Sequence, residues 1–185
     1  IPAEDLRAYA AQLPPGFRCV MKVWEGITTA VVPDTPRAGA RRGQPNPDFL
    51  SVEMFDREVA APLEAAFAGR VAALVLELAP STRALAPRDV ERRLEVFFTR
   101  APRAIPLAVE LRDRRLLTGR YFDLLRAHSV TPALNHWSHM PPLGVQLDTA
   151  GQDLPGPVAV ARLLLPPGTT YEGQKRALAP FDRVH

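Results

Sequence analysis

Cysteine is nearly absent from this sequence, and long apolar runs do not occur in it. The single cysteine, Cys19, excludes an intramolecular disulfide and a cluster of cysteine ligands for a metal, and it fits a reducing cytosol. Because Cys19 lies inside an apolar run, we expect a buried and inert thiol. No apolar run approaches the roughly 20 residues that cross a bilayer. The sequence therefore predicts a cytoplasmic protein with no membrane segment.

Lysine is almost as scarce, since Lys22 and Lys175 are the two lysines among 23 basic residues. The arginine-, alanine- and proline-rich composition, with 20 prolines, is typical of a GC-rich genome. The sequence pI near 9.5 is therefore weak evidence for a nucleic-acid partner. Hydrophobic residues make up 46% of the 185 residues, which suffices for one compact domain with a core. No feature of the sequence indicates an oligomeric state.

Short apolar runs alternate with helix-patterned segments, as in the successive parallel strands of an α/β fold. The predicted strands are 17–23, 71–78, 105–111, 132–137 and 158–165. Helices are predicted before the first strand, over 48–68 with a kink at Pro62, from Pro87 onward, and around 121–125. A long loop rich in proline and glycine follows the first strand. We expect a single domain over residues 1–185.

A polar or charged side chain, unexpected in a core, stands near the end of every predicted strand. These residues are Lys22, Glu77, Glu110 with Arg112, Asn135 and Arg162. Within its strand, each of these residues lies on the same face as small or branched side chains. This alternation predicts that they share one face of the sheet, which points into a barrel. Because ligands bind at the carboxyl ends of parallel strands, the sequence locates a candidate site there.

Glu77 and Glu110 end neighbouring strands at corresponding positions, so their carboxylates should converge. Such a pair suits general acid-base chemistry or the binding of a metal. The alternative is structural ion pairing, because buried carboxylates are seldom unpaired and Arg112 follows Glu110 on the same face. Lys22 is a candidate to hold an anion, act as a base or form a Schiff base, and the alternative is a lysine that extends to solvent.

Asn135, Trp137 and Arg162 complete the predicted ligand-binding group. Arg162 would offer a bidentate fork to phosphate or carboxylate, or else form an ordinary ion pair with a glutamate. By parity Asn135 and Trp137 face inward, where the indole would either stack on a sugar or base or belong to the core. His136 and His139 lie nearby, but no spacing of histidines, acids or cysteines favours a metal. The sequence indicates no particular cofactor.

Several short motifs occur in one order along nearly the whole chain. They are Lys22-Val23, Ile27-Thr28-Thr29, Glu77-Leu78-Ala79-Pro80, Glu110-Leu111-Arg112, Asn135-His136-Trp137-Ser138-His139-Met140-Pro141-Pro142, and Arg162-Leu163-Leu164 followed by Tyr171-Glu172. Together they resemble the YecE-like family, a bacterial and archaeal domain of unknown function. The resemblance implies a TIM-barrel-like fold, of which this chain would hold about five strands with outer helices and lack the first and last βα units. Thr29 stands where many members have a histidine, and Glu77 where glutamine is frequent.

One function that fits these residues is an enzyme acting on a small anionic metabolite, phosphorylated or sugar-like. Lys22, Arg112 and Arg162 would hold the anion. Glu110 or Glu77 would move a proton. Hydrolysis, isomerisation and aldol-type chemistry all fit this arrangement.

The alternative is a non-catalytic domain that binds an anion or the phosphates of a nucleic acid. Arg37, Arg41 and Arg42 of the long loop would then form a basic collar around the site. Polar residues that converge inside a barrel suit a small ligand better than a duplex, which favours the enzyme.

Overall fold

The computed structural model describes residues 2–67, 69–151, 153–164 and 168–182, apart from the side chains of residues 36 and 37. Its strands are β1 (Cys19–Lys22), β2 (Val71–Leu78), β3 (Leu107–Leu111), β4 (Thr131–His136) and β5 (Val160–Leu163). Its α-helices are α1 (Ala3–Gln12), α2 (Glu25–Thr28), α3 (Val52–Phe55), α4 (Ala61–Phe67), α5 (Pro87–Arg100), α6 (Gly119–Ala127), α7 (Leu143–Ala150) and α8 (Tyr171–Leu178). A π turn over Asp56–Ala60 joins α3 to α4.

The strands form one parallel sheet in sequence order, in which each strand pairs with the next. The sheet curls into a half-barrel with helices around it, which confirms the predicted α/β, TIM-barrel-like architecture with incomplete closure. Parallel neighbours need a crossover connection, and the helical segments between the strands supply it. All strands therefore end at the same side of the half-barrel, which we call the mouth.

The two faces of the sheet carry different side chains, as the alternation predicts. Leu74, Leu76 and Leu78 of β2 belong to the large core between the sheet and the helices, where burial of apolar surface provides most of the stabilisation. The concave face carries a separate cluster of small side chains, namely Ala73, Val75, Ala108, Ala133 and Val160. These small residues leave space on the concave face for longer polar side chains nearer the mouth.

The predicted helix over 48–68 begins later than expected. Leu50 has a positive φ of 57°, so the chain turns there, and the Ser51 hydroxyl caps α3 by accepting a hydrogen bond from Met54 N at 3.2 Å. The irregularity expected at Pro62 takes the form of the π turn that precedes it. Pro62 has no N–H with which to continue the α-helical hydrogen bonds. The preceding residue, Ala61, donates its N–H to the carbonyl of Asp56, five residues back, as in a π-helix. Ala68, the predicted helix end, lies outside the described residues.

Other element boundaries differ slightly from the prediction. The third strand begins at Leu107 because Pro106 has no N–H for the ladder, although its carbonyl accepts a hydrogen bond from Leu74 N. Leu165, the predicted end of the last strand, lies outside the described residues. The helices expected from Pro87 and around 121–125 are confirmed as α5 and α6. Helix α7 was not predicted, because Pro141-Pro142 indicates a loop, whereas Pro142 is the residue that precedes this helix.

Cys19 is half-buried rather than buried. Burial raises the pKa of its thiol, and a backbone hydrogen bond opposes this only in part. The thiolate is therefore disfavoured, which agrees with an unreactive cysteine. In the part of the chain that the structure describes, no helix has the length and apolar character needed to cross a membrane.

Candidate functional site

Charged side chains from four strands meet on the concave face at the mouth. Glu77 of β2 pairs directly with Glu110 of β3 in the sheet register, and the outer strands β1 and β5 bring one cation each. Neighbouring strands are about 4.8 Å apart, so long side chains can reach one another across the curled sheet. We call this group the ionic cluster; its members are Lys22, Glu77, Glu110, Arg112 and Arg162.

Each member of the ionic cluster has an oppositely charged partner. Glu77 Oε1 lies 3.4 Å from Lys22 Nζ, and Glu77 Oε2 accepts from Arg112 Nη2 at 3.1 Å and from Arg162 Nη1 at 2.6 Å. Glu110 pairs with Arg112 Nη2 at 2.9 Å and with Arg162 Nη1. Both arginines bridge the two glutamates, so the ion pairs considered in the sequence are present. Three cations against two carboxylates leave the cluster with a net positive charge.

Exposure increases from the floor of the ionic cluster to its rim. The Glu110 side chain has 0% of its surface exposed and Arg112 has 6%. Glu77 is 18% exposed, Arg162 28% and Lys22 47%. We refer to Glu110 and Arg112 as the floor and to the other three residues as the rim. A molecule in the half-barrel would meet the rim first.

Glu77 is held in its ionised form. Burial would raise the pKa of Glu77, but the hydrogen bond from Arg162 and the charges of Arg112 and Lys22 outweigh that effect and keep the pKa below its ordinary value. For Arg162, burial acts to lower the pKa, and the hydrogen bonds and charges of Glu77 and Glu110 raise it above its ordinary value. The rim therefore holds a carboxylate and a guanidinium that stabilise each other's charge.

Asn135 fixes the floor from the neighbouring strand. Its side-chain amide donates to Glu110 Oε1 at 3.0 Å and to Leu111 O at 2.8 Å. Gln146 of α7 holds the Asn135 backbone, since its Oε1 accepts from Asn135 N at 3.2 Å and its Nε2 donates to Asn135 O at 2.7 Å. Sequence reasoning missed Gln146, because a lone glutamine in a helix that was itself not predicted gives no signal.

Trp137 lies beside the ionic cluster, just beyond the end of β4. The guanidinium carbon of Arg112 is 4.1 Å from the centroid of the indole, which is a cation–π contact. The ring also packs against the core between the sheet and the helices. The indole also meets the His139 ring edge to face, with 6.5 Å between centroids. Trp137 thus contacts both an interior cation and the apolar core.

Three buried polar atoms around the floor have no hydrogen-bond partner among the described residues. They are Arg112 Nε, Asn135 Oδ1 and Trp137 Nε1. Buried polar groups are nearly always paired, and an unpaired one costs about 1–3 kcal/mol. Two donors and one acceptor near the floor are therefore unpaired among the described residues.

Arg41 and Arg42 of the long loop contact groups other than the ionic cluster. Arg42 pairs with Asp34 at 2.7 Å, and Arg41 lines a different cleft of about 400 Å³ together with Trp24 and Asn46. The side chain of Arg37 lies outside the described residues. Within the described ranges, no three His, Cys, Asp or Glu side chains are gathered as a possible metal site.

These observations define a parallel α/β half-barrel with a charged site at the carboxyl ends of its strands. The model of the DUF72 family, described as a protein of unknown function, matches residues 1–183, so the chain belongs to this family. DUF72 is the YecE-like family, and the match confirms the resemblance that the sequence motifs indicate. No curated protein and no solved structure matches the chain significantly. Any functional argument therefore depends on the site itself.

Proposed function

We propose that this chain belongs to an enzyme that acts on a small anionic metabolite, phosphorylated or sugar-like, bound at the mouth of the half-barrel. The observation that carries the proposal is the convergence of three cations and two carboxylates from four strands on one concave face. A few convergent polar groups in a concave site are typical of small-molecule binding. Their position at the strand ends is where barrel enzymes place their chemistry.

The rim supplies the groups that such a ligand would touch. Lys22 carries a compact charge on a flexible stem, and its ammonium group can move from Glu77, 3.4 Å away, to an anion. Arg162 offers a planar fork for carboxylate or phosphate oxygens. Glu77 lies between them, within reach of the same ligand, and is the candidate to move a proton.

The floor supports the rim from below. Glu110 is fully buried and engaged by Arg112, Arg162 and Asn135. We therefore assign Glu110 a positioning role, in which it holds both arginines at fixed angles. Arg112 and Asn135 would bind those ligand groups that reach past the rim. Preorganised supporting residues of this kind keep reactive groups in a productive geometry.

Anion binding would change Glu77 in a direction that suits proton transfer. In the free site Arg162 and Lys22 help to keep the pKa of Glu77 low, and a carboxylate with a low pKa is a weak base. An anion that draws these two cations to itself removes their interactions and adds negative charge nearby. The pKa of Glu77 then rises, and Glu77 becomes a stronger base when a ligand is present.

A thermal-shift screen of the full chain tests the proposal. The compounds are sugar phosphates, small carboxylates, nucleotides, divalent metals and short oligonucleotides. The variants are Lys22→Met and Arg162→Met, with Lys175→Met on the exposed side of α8 as the matched control. A ligand at 100 times its dissociation constant adds about 2.7 kcal/mol to the folded state. We expect at least one small anion to stabilise the wild type and Lys175→Met more strongly than either rim variant.

Two results would contradict the proposal. One is that every small anion that stabilises the wild type stabilises both rim variants as strongly. The other is stabilisation by oligonucleotides alone, unchanged in the rim variants and steeply reduced by salt. That second result would favour a nucleic-acid-binding domain, because phosphate contacts release counterions.

A further inference from the structure

A second cleft opens at the mouth, between the loops that follow β2, β3 and β4. Its volume is about 830 Å³, within the range of pockets for small ligands. None of its residues belongs to the ionic cluster. We call it the arginine cleft; its charged and hydroxyl-bearing lining residues are Arg83, Asp113, Arg114, Arg115, Ser138 and His139.

Positive charge exceeds negative charge in the arginine cleft. Its lining includes three guanidinium groups and one carboxylate, that of Asp113. Arg115 occupies both oxygens of Asp113, with Nε 3.1 Å from each of them and Nη2 2.7 Å from Oδ2. Among the described residues, Arg83 and Arg114 have no hydrogen-bonded carboxylate. Two exposed cations therefore border the cleft without a direct ion pair among the described residues.

Asp113 also fixes the loop that carries these arginines. Its Oδ1 accepts a hydrogen bond from Arg115 N at 3.0 Å, and its side chain is 2% exposed. Burial would raise the pKa of Asp113, but the hydrogen bonds from Arg115 and the charges of Arg115 and Arg83 keep it below its ordinary value. An ionised and buried carboxylate thus holds the Arg115 guanidinium in one orientation. Part of the cationic lining is therefore preorganised.

We propose that the arginine cleft binds a phosphate monoester group, with Arg83 and Arg114 as its principal ligands and His139 beside them. A guanidinium presents several N–H donors in a fork that matches phosphate oxygens. Exposed arginines usually face only water, but these surround a concave space whose one carboxylate is already engaged. A dianionic phosphate would supply the neutralising charge.

This inference rests on the proposed function and makes its substrate class more specific. Trp137 lies between the two sites, because it contacts Arg112 of the ionic cluster and His139 of the arginine cleft. A ligand with its phosphate in the arginine cleft would extend past Trp137 and present its other end to the ionic cluster. The expected substrate is therefore a small phosphorylated compound that spans both sites.

Titration of the full chain with inorganic phosphate, followed by calorimetry or by phosphorus NMR, tests this inference. The variant is Arg83→Met/Arg114→Met. The matched control, Arg88→Met/Arg93→Met, removes the same charge from the exposed side of α5. We expect the cleft variant to weaken phosphate binding about tenfold or more, because two charge-assisted contacts are lost, and the control to change it less than about twofold.

A third variant, Lys22→Met/Arg162→Met, separates this inference from the proposed function. If phosphate binding persists in that variant and fails in the cleft variant, the arginine cleft is the phosphate site. If binding fails only when the rim is changed, the inference about the cleft is wrong and the proposed anion site stands. Equal weakening by the cleft variant and its control, or no phosphate binding by the wild type, would also overturn the inference.

Discussion

Glu110 is the residue on which the geometry of the ionic cluster most depends. Its carboxylate is fully buried and is shared by Arg112, Arg162 and Asn135. A buried ion pair adds little net stability compared with apolar residues, yet removing one partner is costly because the other charge stays buried and unpaired. Glu110 therefore serves the arrangement of the arginines more than overall stability.

Replacing Glu110 by alanine should lower the free energy of unfolding by about 3–5 kcal/mol, because Arg112 loses a buried partner. Urea denaturation measures this change. Glu110→Gln keeps the side-chain volume and should lose less. The control is Glu64→Ala on the exposed side of α4, where we expect a change within about 0.5 kcal/mol. A loss for Glu110→Ala no larger than for Glu64→Ala would contradict the role given to Glu110.

Glu77 should make stability depend on pH in the acidic range. Its folded pKa lies below its ordinary value of 4.5, so its contribution is present above that value and is lost as pH falls through the folded pKa. The difference in unfolding free energy between the wild type and Glu77→Gln should therefore be largest at neutral pH and shrink in acid. Urea denaturation across pH measures it. A difference that stays constant with pH would show that Glu77 has an unshifted pKa.

The sequence revealed the members of the ionic cluster and the possible ion pairs of Arg112 and Arg162, but not how those pairs are shared. Parity alone predicts that Glu77, Glu110 and Arg162 share the concave face, because a strand alternates with a period of two. It cannot show that both arginines bridge both glutamates, since that depends on the curl of the sheet. Gln146 and Arg83 escaped notice because their neighbours come from distant loops and helices. Side chains that act through tertiary contacts leave no local pattern.

Among the elements, the strands were easier to predict than the helices. The central strands β2, β3 and β4 are largely buried, so apolar residues mark their positions clearly. Helix boundaries depend on local features such as the Ser51 cap and the positive φ of Leu50, which composition does not reveal. Helix α7 follows two prolines, and a proline before a helix looks the same in sequence as a proline in a loop.

Among the outer helices, α5 should be the most sensitive to the shortening of a buried side chain. Phe97 is fully buried and packs edge to face on Phe55, with 5.1 Å between centroids. Phe97→Ala should cost about 3–5 kcal/mol, because it removes apolar contacts and leaves a cavity. Its neighbour Val96 is 50% exposed, so Val96→Ala serves as the control and should change stability far less. Chemical denaturation compares the two, and similar losses would contradict the packing of α5.

The central sheet of the molecule is open at both edges. Within the described residues, β1 pairs only with β2, and β5 pairs only with β4. Apolar side chains are exposed on these outer strands, with Val20 at 48% and Leu163 at 71%. Unpaired edges of this kind readily pair with other chains. We propose that residues 1–185 form one domain whose missing βα units would cover these edges in a complete barrel.

The 185-residue chain by itself should therefore self-associate through its edge strands as its concentration rises. Light scattering coupled to size-exclusion chromatography measures the mass distribution. Leu163→Lys places a charge on the edge strand β5 and should reduce association, whereas Val96→Lys on α5 should not. A monodisperse wild-type monomer that melts cooperatively would contradict the prediction.

Chemical labelling of the two lysines is the most direct test of anion binding at the ionic cluster. Lys22 belongs to the cluster, and Lys175 lies exposed on α8 as an internal control in the same molecule. Mass spectrometry would compare their acetylation rates with and without the anion that stabilises the chain in the thermal-shift screen. We expect the anion to slow acetylation of Lys22 and leave Lys175 unchanged. Unchanged labelling of Lys22 in the presence of a bound anion would show that the ligand binds elsewhere.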